Sequence, residues 1–194
     1  MTHEINQSYP LAYSQIEEAT KLSGFTMASE VLTCSFLRTM AATKPGGNFL
    51  ELGTGTGLST AWILDGMDID ATLTSIDNDE NVLTIARSFL GYDNRLQLVC
   101  SDGAEWVDKN MHRQAYYDYI FADTWHGKYL LLEPVLAMLK KGGLYIIDDM
   151  LPQPNWPDGH HEKALNLIKV LEQRKDLTLT KQVWATGIVV AVKK

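Results

Sequence analysis

The chain has 194 residues, of which 45% are hydrophobic and 21% charged, values that suit a globular protein with a sizeable apolar core. Its net charge of −7, with no Lys/Arg cluster, excludes a function built on non-specific nucleic-acid binding. No apolar run reaches the ~20 residues of a membrane span, and MTHEINQSYP lacks the basic-then-apolar pattern of a secretion signal. Two cysteines far apart, Cys34 and Cys100, read as reduced, buried thiols of a cytoplasmic protein.

Residues 1–45 read as a helical cap and 46–194 as an α/β core, together one domain. PLAYSQIEEATKL is a weak helix. MASEVLTCSFLRTMAAT is a stronger one, with Val31, Leu32, Ser35, Phe36 and Met40 at helical spacing. KPGG stops it. Strands and helices then alternate. NFLEL, ATLTSID, RLQLVCS, YDYIFAD and LYIIDD read as strands. LSTAWILDGM, NDENVLTIARSFLG, GAEWVDKNM, GKYLLLEPVLAMLKKGG and GHHEKALNLIKVLEQRK read as the helices that follow them. LTLTKQVWATGIVVAVKK reads as two strands with no helix between them, an antiparallel hairpin at one edge. This order predicts a doubly wound, mostly parallel seven-stranded sheet of Rossmann-like form, covered on both faces.

The turn after the first strand, LELGTGTGLS, spaces Gly53, Gly55 and Gly57 as G-x-G-x-G. Glycines there let the backbone turn sharply and approach a ligand. Nicotinamide-type turns follow G-x-G-x-x-G and present amides to a pyrophosphate. Here the third glycine is one residue early, and Glu51 precedes the turn. A carboxylate suits a positively charged ligand better than a pyrophosphate. Asp77 ends the second strand, 20 residues after Gly57, where a carboxylate can accept both hydroxyls of a ribose. Asp102 follows the third strand. Each acid alone reads more readily as a loop or cap residue; three at successive strand ends point to a ribosyl ligand beyond those ends.

The fifth core strand ends on adjacent acids, Asp148 and Asp149. Two like charges about 4 Å apart repel by ~1 kcal/mol in water and ~4 kcal/mol near a protein surface, so the pair calls for a compensating charge.

With ELGTGTGLS, SIDND, SDGAEW, YDYIFADTWHGKY and GGLYIIDDM in place, the chain resembles the class I S-adenosyl-L-methionine (SAM)-dependent methyltransferases. Within them it is most similar to the small O-methyltransferases of the catechol and caffeoyl-CoA type. The resemblance runs from about Gly24 to the end. It implies that Glu51, Gly53, Thr54, Gly55 and Ser59 face the methionine part of SAM. Asp77 and Asn78 would lie at the ribose. Asp102, Gly103 and Ala104 would border the adenine, with Trp125 packed against it. Thr26 and Met27 would belong to a segment closing over the methionine end.

The resemblance also implies a Mg²⁺ or Ca²⁺ on Asp123, Asp148 and Asp149, an all-oxygen set, with the third ligand an aspartate where the family usually has asparagine. The alternative is that these acids face SAM and substrate without metal. Asp123 is then a catalytic-site residue in either case. His126 stands where catechol enzymes carry a lysine base; it reads as a base or as a substrate contact. Lys128 is the second candidate base, against a solvated helix residue. Trp156, in the proline-rich loop after Asp149, reads as a platform for a flat substrate or as a plug over the last helix. His160 and His161 read as a metal pair or, in preference, as first-turn residues of a helix capped by Asp158. The expected activity is methyl transfer to a hydroxyl of a small, aromatic molecule. Metal-independent methylation of another small molecule, or SAM binding without catalysis, are the alternatives. Small-molecule substrate, no nucleic acid, no membrane and a homodimer complete the expected partners.

Overall fold

The computed structural model describes residues 8–154 and 156–194; the first seven residues, on which the lack of a secretion signal was partly read, lie outside the described residues. The cap consists of α1 (Tyr13–Ser23) and α2 (Val31–Ala41). The core runs β1 (Asn48–Leu52), α3 (Leu58–Gly66), β2 (Thr72–Asp77), α4 (Glu80–Leu90), β3 (Leu96–Cys100), α5 (Gly103–Asn110) and β4 (Tyr117–Ala122). It continues through α6 (Leu132–Met138), β5 (Leu139–Ile147), α7 (His160–Gln173), β6 (Leu177–Gln182) and β7 (Ile188–Lys193).

The strands form one seven-stranded sheet in the order β3-β2-β1-β4-β5-β7-β6. β1 to β5 pair in parallel, and β7 runs antiparallel to both β5 and β6. The expected edge hairpin is therefore present, with β7 inserted beside β5 and β6 outermost. β1 has β2 on one side and β4 on the other. Crossovers leave it in opposite directions, so a crevice opens at the C-terminal ends of these strands.

Strand alternation builds two cores. Phe49, Leu73, Tyr119, Phe121 and Ile146 point to the face covered by α1, α2 and α3. Leu50, Leu52, Ile120, Tyr145 and Ile147 point to the face covered by α5, α6 and α7. Burial on both faces is why these strands read as nearly continuous apolar runs. Each fully buried Leu or Phe contributes ~1.5–3 kcal/mol.

Of the two cysteines expected to be buried, Cys34 is buried and Cys100, at the end of the edge strand β3, is exposed. Three further local expectations are corrected. First, α2 buries Thr33, Cys34, Leu37 and Ala41, while Val31, Phe36 and Met40 flank that stripe. Second, the helix expected from Gly127 through Gly143 spans only Leu132–Met138. Pro134 has no N–H and belongs to a first turn, and Leu131, at φ 57°, breaks the chain before it. The KKGG segment lies inside β5, whose pairing with β4 shifts register between Tyr117 and Tyr119. Third, Asp158 does not cap α7; Gly159 takes the N-cap place at φ 79°, and His160 and His161 do open the helix. Among the described residues no helix is long and apolar enough to cross a membrane.

Candidate active site

The turn from Gly53 to Gly57 is bound to the neighbouring strand. The Gly53 and Thr54 amides donate to the Ile76 carbonyl at 2.9 and 3.2 Å, and the Gly55 amide donates to Asp77 Oδ2 at 2.8 Å. Gly53 has φ 110°, and a Cβ there would stand 2.8 Å from Thr124 Cγ2. Only glycine gives both the left-handed backbone and the close approach.

Beyond the turn lies a cavity of about 240 Å³, lined by Leu52, Gly53, Ile76, Asp77, Asn78, Ser101, Gly103, Thr124, Trp125 and His126. It sits at the ends of β1, β2, β3 and β4, across the crevice. Of the residues expected at SAM, the lining includes Gly53, Asp77, Asn78, Gly103 and Trp125. His126, expected as a base or substrate contact, also lines it, packed so tightly on Gly103 that a Cβ there would meet its Nδ1 at 2.4 Å. Leu52, Ile76, Ser101 and Thr124 were not expected. Leu52 and Ile76 are the strand-end apolar residues beside Gly53 and Asp77, so the same strand-end logic could have found them.

The other expected SAM residues lie around this lining. Glu51 is fully buried at 0% exposure beneath the turn. Its Oε1 accepts from Ser59 Oγ at 2.7 Å, and its Oε2 accepts from Thr60 Oγ1 at 2.6 Å and Ser75 Oγ at 2.5 Å. Thr54 joins the same network through Ser75 at 2.6 Å. Burial pushes the Glu51 carboxyl up to about 7, with the three hydroxyls pulling against it. Asp102 caps α5, its Oδ1 accepting from Ala104 and Glu105 amides at 2.8 and 3.2 Å. These amides hold its carboxyl below the usual range. In the segment before α2, Phe25 lies on the turn, its ring 3.2 Å from where a Gly55 Cβ would be, while Met27 is exposed.

A second cluster stands beside the cavity. β4 and β5 are neighbours with Ala122 opposite Ile147, so the residues that follow, Asp123, Asp148 and Asp149, converge. Asp123 is tied to β1 by its amide, 2.8 Å from the Leu52 carbonyl. Its Oδ2 accepts from Ser29 Oγ at 2.9 Å and its Oδ1 from Lys128 Nζ at 3.3 Å. Asp148 is 1% exposed, and its Oδ1 accepts from Thr186 Oγ1 at 2.5 Å and the Asp149 amide at 2.8 Å. Asp149 has φ 56°, a left-handed conformation that Asp tolerates better than most residues. Burial is the main cause that pushes Asp123 and Asp148 above the usual carboxylate range. Lys128 opposes the shift on both, and Asp149 adds to both.

Lys128 is thus not a solvated helix residue. It is 4% exposed and precedes α6. The 125–131 segment is a tight loop. Lys128, Tyr129 and Leu130 amides all donate to the Trp125 carbonyl, at 3.2, 2.9 and 2.9 Å, and the Gly127 amide donates to Leu130 at 2.7 Å. Gly127 holds φ 82°, and the Tyr145 hydroxyl of β5 donates to its carbonyl. These bonds deliver the ammonium to Asp123.

The three acids do not fit a divalent ion as they stand. Both oxygens of Asp123 and one of Asp148 already hold protein donors. Among the described residues no three His, Cys, Asp or Glu side chains are grouped to hold a metal.

Aromatic rings wall this cluster. His160 stacks on Trp156 at 4.4 Å and meets the Tyr129 hydroxyl through Nε2 at 3.2 Å. Trp125 stands edge-on to Tyr129 and His160 at 6.0 and 5.9 Å, with Lys163 Nζ 4.2 Å over its ring. Burial, then Lys128 and Lys163, lowers the His160 pKa. Trp125, being part of the cavity lining too, joins the two halves. Sequence spacing carried no signal for Ser29 or Thr186 here: Ser29 lies 94 residues from Asp123, and Thr186 lies 38 from Asp148.

A parallel sheet with an antiparallel last strand, a glycine turn and a cavity at its switch point define the Rossmann-like methyltransferase fold. The chain belongs to the O-methyltransferase family, whose model matches residues 6–192. It is 27% identical over 120 residues to a candidate caffeoyl-CoA O-methyltransferase of Arabidopsis thaliana, a match covering 60% of this chain and about half, 52%, of that relative. Among solved structures, the O-methyltransferase TomG from Streptomyces achromogenes, involved in tomaymycin synthesis and bound to SAM, superposes with a TM-score of 0.83. The identity is 19%, over 98% of this chain and 92% of that one. An O-methyltransferase from Bacillus cereus in complex with SAH gives a TM-score of 0.83 at 17% identity, over 98% and 94% of the two chains. At these identities the structural likeness speaks for the fold.

Proposed function

We propose that the protein transfers a methyl group from SAM to an oxygen of a small, flat molecule. The observation that carries this reading is the adjacency of two sites of different chemistry. One is a glycine-backed cavity with a ribose-competent acid. The other is the polar cluster of Asp123, Asp148, Asp149 and Lys128, beside which stand Tyr129, His160 and Trp125, the last also lining the cavity.

The residues fit SAM. Gly53 and Gly103 both line the cavity, and a Cβ at either would collide with Thr124 or His126 at its wall. Asp77 spends one lone pair of each oxygen on the Gly55 and Asp79 amides and keeps acceptor capacity for ribose hydroxyls. Gly103 and Ser101 offer a narrow border for a base, and Trp125 a flat surface. When bound, SAM supplies an electrophilic methyl on a sulfonium. The chain's own task is then to hold an acceptor oxygen in line with it and to exclude water, the main source of rate in such a displacement. Trp156, Tyr129 and His160 offer stacking surfaces for the acceptor ring.

The test is calorimetric titration of SAM, followed by turnover on a panel of phenols, catechols and carboxylates. SAM binding with methyl transfer to oxygen supports the reading. No SAM binding overturns it.

A further inference from the structure

The acid cluster raises a question of charge. Three carboxylates converge where the family resemblance implies a divalent cation, yet the side chain already among them is an ammonium. Lys128 is 4% exposed and 3.3 Å from Asp123, itself 11% exposed at the side chain. A lysine ammonium has three N–H donors. Among the described residues Lys128 Nζ finds one hydrogen-bond acceptor, Asp123 Oδ1. Two donors of a nearly buried cation are left over. They belong to a loop that the Gly127 turn and the Tyr145 bond hold in place. A dication entering this cluster would have to displace or repel that ammonium. Each Asp123 oxygen already accepts one protein donor and Asp148 Oδ1 accepts two, so that among the described residues only Asp148 Oδ2 and the Asp149 carboxylate hold none.

We propose that the Lys128 ammonium is the resident cation of this site, so that the protein works without a divalent metal and uses the spare N–H groups of Lys128 to hold a single acceptor oxygen. The second half rests on the methyltransferase reading above; the first does not. The difference matters for substrate class. A divalent ion gathers two vicinal oxygens into its coordination shell. An ammonium donates to one oxygen per N–H and imposes no chelate geometry. The acceptor is therefore a flat molecule with one hydroxyl or one ionised oxygen, and a neighbouring second hydroxyl brings no advantage. The anionic acceptor oxygen attacks the sulfonium methyl: an O–C bond forms, the C–S bond breaks, and its electron pair stays on sulfur. If the acceptor enters as a neutral hydroxyl, its proton leaves to solvent before transfer. Lys128 stays an ammonium throughout.

The experiment has two arms on the full chain. In the first, Ca²⁺ and Mg²⁺ are titrated calorimetrically into wild type, SAM-free and SAM-loaded, and melting is followed with and without millimolar Ca²⁺ in wild type and Lys128→Met. Wild type should show no saturable binding and no calcium effect on Tm. Lys128→Met should melt lower and recover part of the loss with Ca²⁺, since the freed acids then lack a cation. Saturable wild-type binding that Asp149→Ala abolishes overturns the proposal, as does a wild-type Tm raised by Ca²⁺ as much as the variant's. Wild-type titration alone decides if the variant fails to fold. In the second arm, turnover of a phenol and of the matched catechol is compared in EDTA. Equal rates within about threefold are expected; turnover of the catechol alone, and only with Mg²⁺, overturns the proposal. No turnover of either counts against the methyltransferase reading, and the calcium arm still judges the ammonium.

Discussion

Glu51 and Asp123 lie on neighbouring strand lines, one within β1 and one just past β4, and both are largely withdrawn from water. Their surroundings differ in kind. Glu51 is met by three hydroxyls and no cation. Its cost of burial is offset by neutral dipoles, all of them supplied within the fold. Asp123 is met by a serine and an ammonium, and the ammonium has donors to spare. The first arrangement stiffens a turn. The second is unfinished without a further oxygen. Two buried carboxylates a strand apart therefore serve different ends, and the partner's spare hydrogen-bonding capacity tells them apart better than burial does.

The sharpest way to break this contrast is to remove the cation. Lys128→Met should cost about 3–5 kcal/mol in urea unfolding, the usual penalty for stranding a buried charge. A loss below ~1 kcal/mol would mean that Asp123 simply takes up a proton and that the ammonium is dispensable to the fold.

Glu51 should respond to pH instead. Its folded pKa of about 7 lies above the unfolded 4.5, so its stabilising contribution is complete below about 4.5 and is lost as pH rises through 7. The shift corresponds to about 3 kcal/mol at most. Glu51→Gln should remove that slope from a series of urea melts between those pH values. An identical slope in the variant would assign it elsewhere.

On the cavity side, Asp77→Ala should weaken SAM binding about 10- to 100-fold, the ~1.5–3 kcal/mol of hydrogen bonds to a charged group. Unchanged affinity in calorimetry would remove Asp77 from the ribose site. The smallest effect is expected from Trp156→Ala: about 1 kcal/mol of lost stacking, read as a few-fold rise in acceptor KM with kcat unchanged. A fall in kcat with constant KM would instead make Trp156 part of the alignment of the reacting atoms.

Much of the frame was legible because its signals are local. Apolar runs between glycine and proline marked the strands, and the acid at the end of β2 pointed to the cavity at once. Helix α6 was misread because its apolar residues run unbroken into β5, and periodicity cannot divide two buried elements that share one hydrophobic stretch. The weight of Pro134 as a first-turn residue was the missed local signal. The acid cluster was only half legible. Asp123, Asp148 and Asp149 stood out by position, while the identity of their partners depends on contacts that skip far along the chain. Lys128 is the instructive case. Five residues after Asp123 it read as a second candidate base or as a solvated lysine on a helix, because the loop that folds it inward closes on its own carbonyls and on Tyr145, eighteen residues beyond Gly127.

The placement of β7 has a consequence for synthesis. The residues lining the cavity all lie between 52 and 126. The acid cluster waits for Thr186, whose hydroxyl reaches Asp148 and whose carbonyl accepts the Leu151 amide only when β7 slots between β5 and β6. On the ribosome the two halves therefore become available at different times. The half that lines the cavity leaves the tunnel first, and the acid cluster is completed only by the strand that emerges after β6.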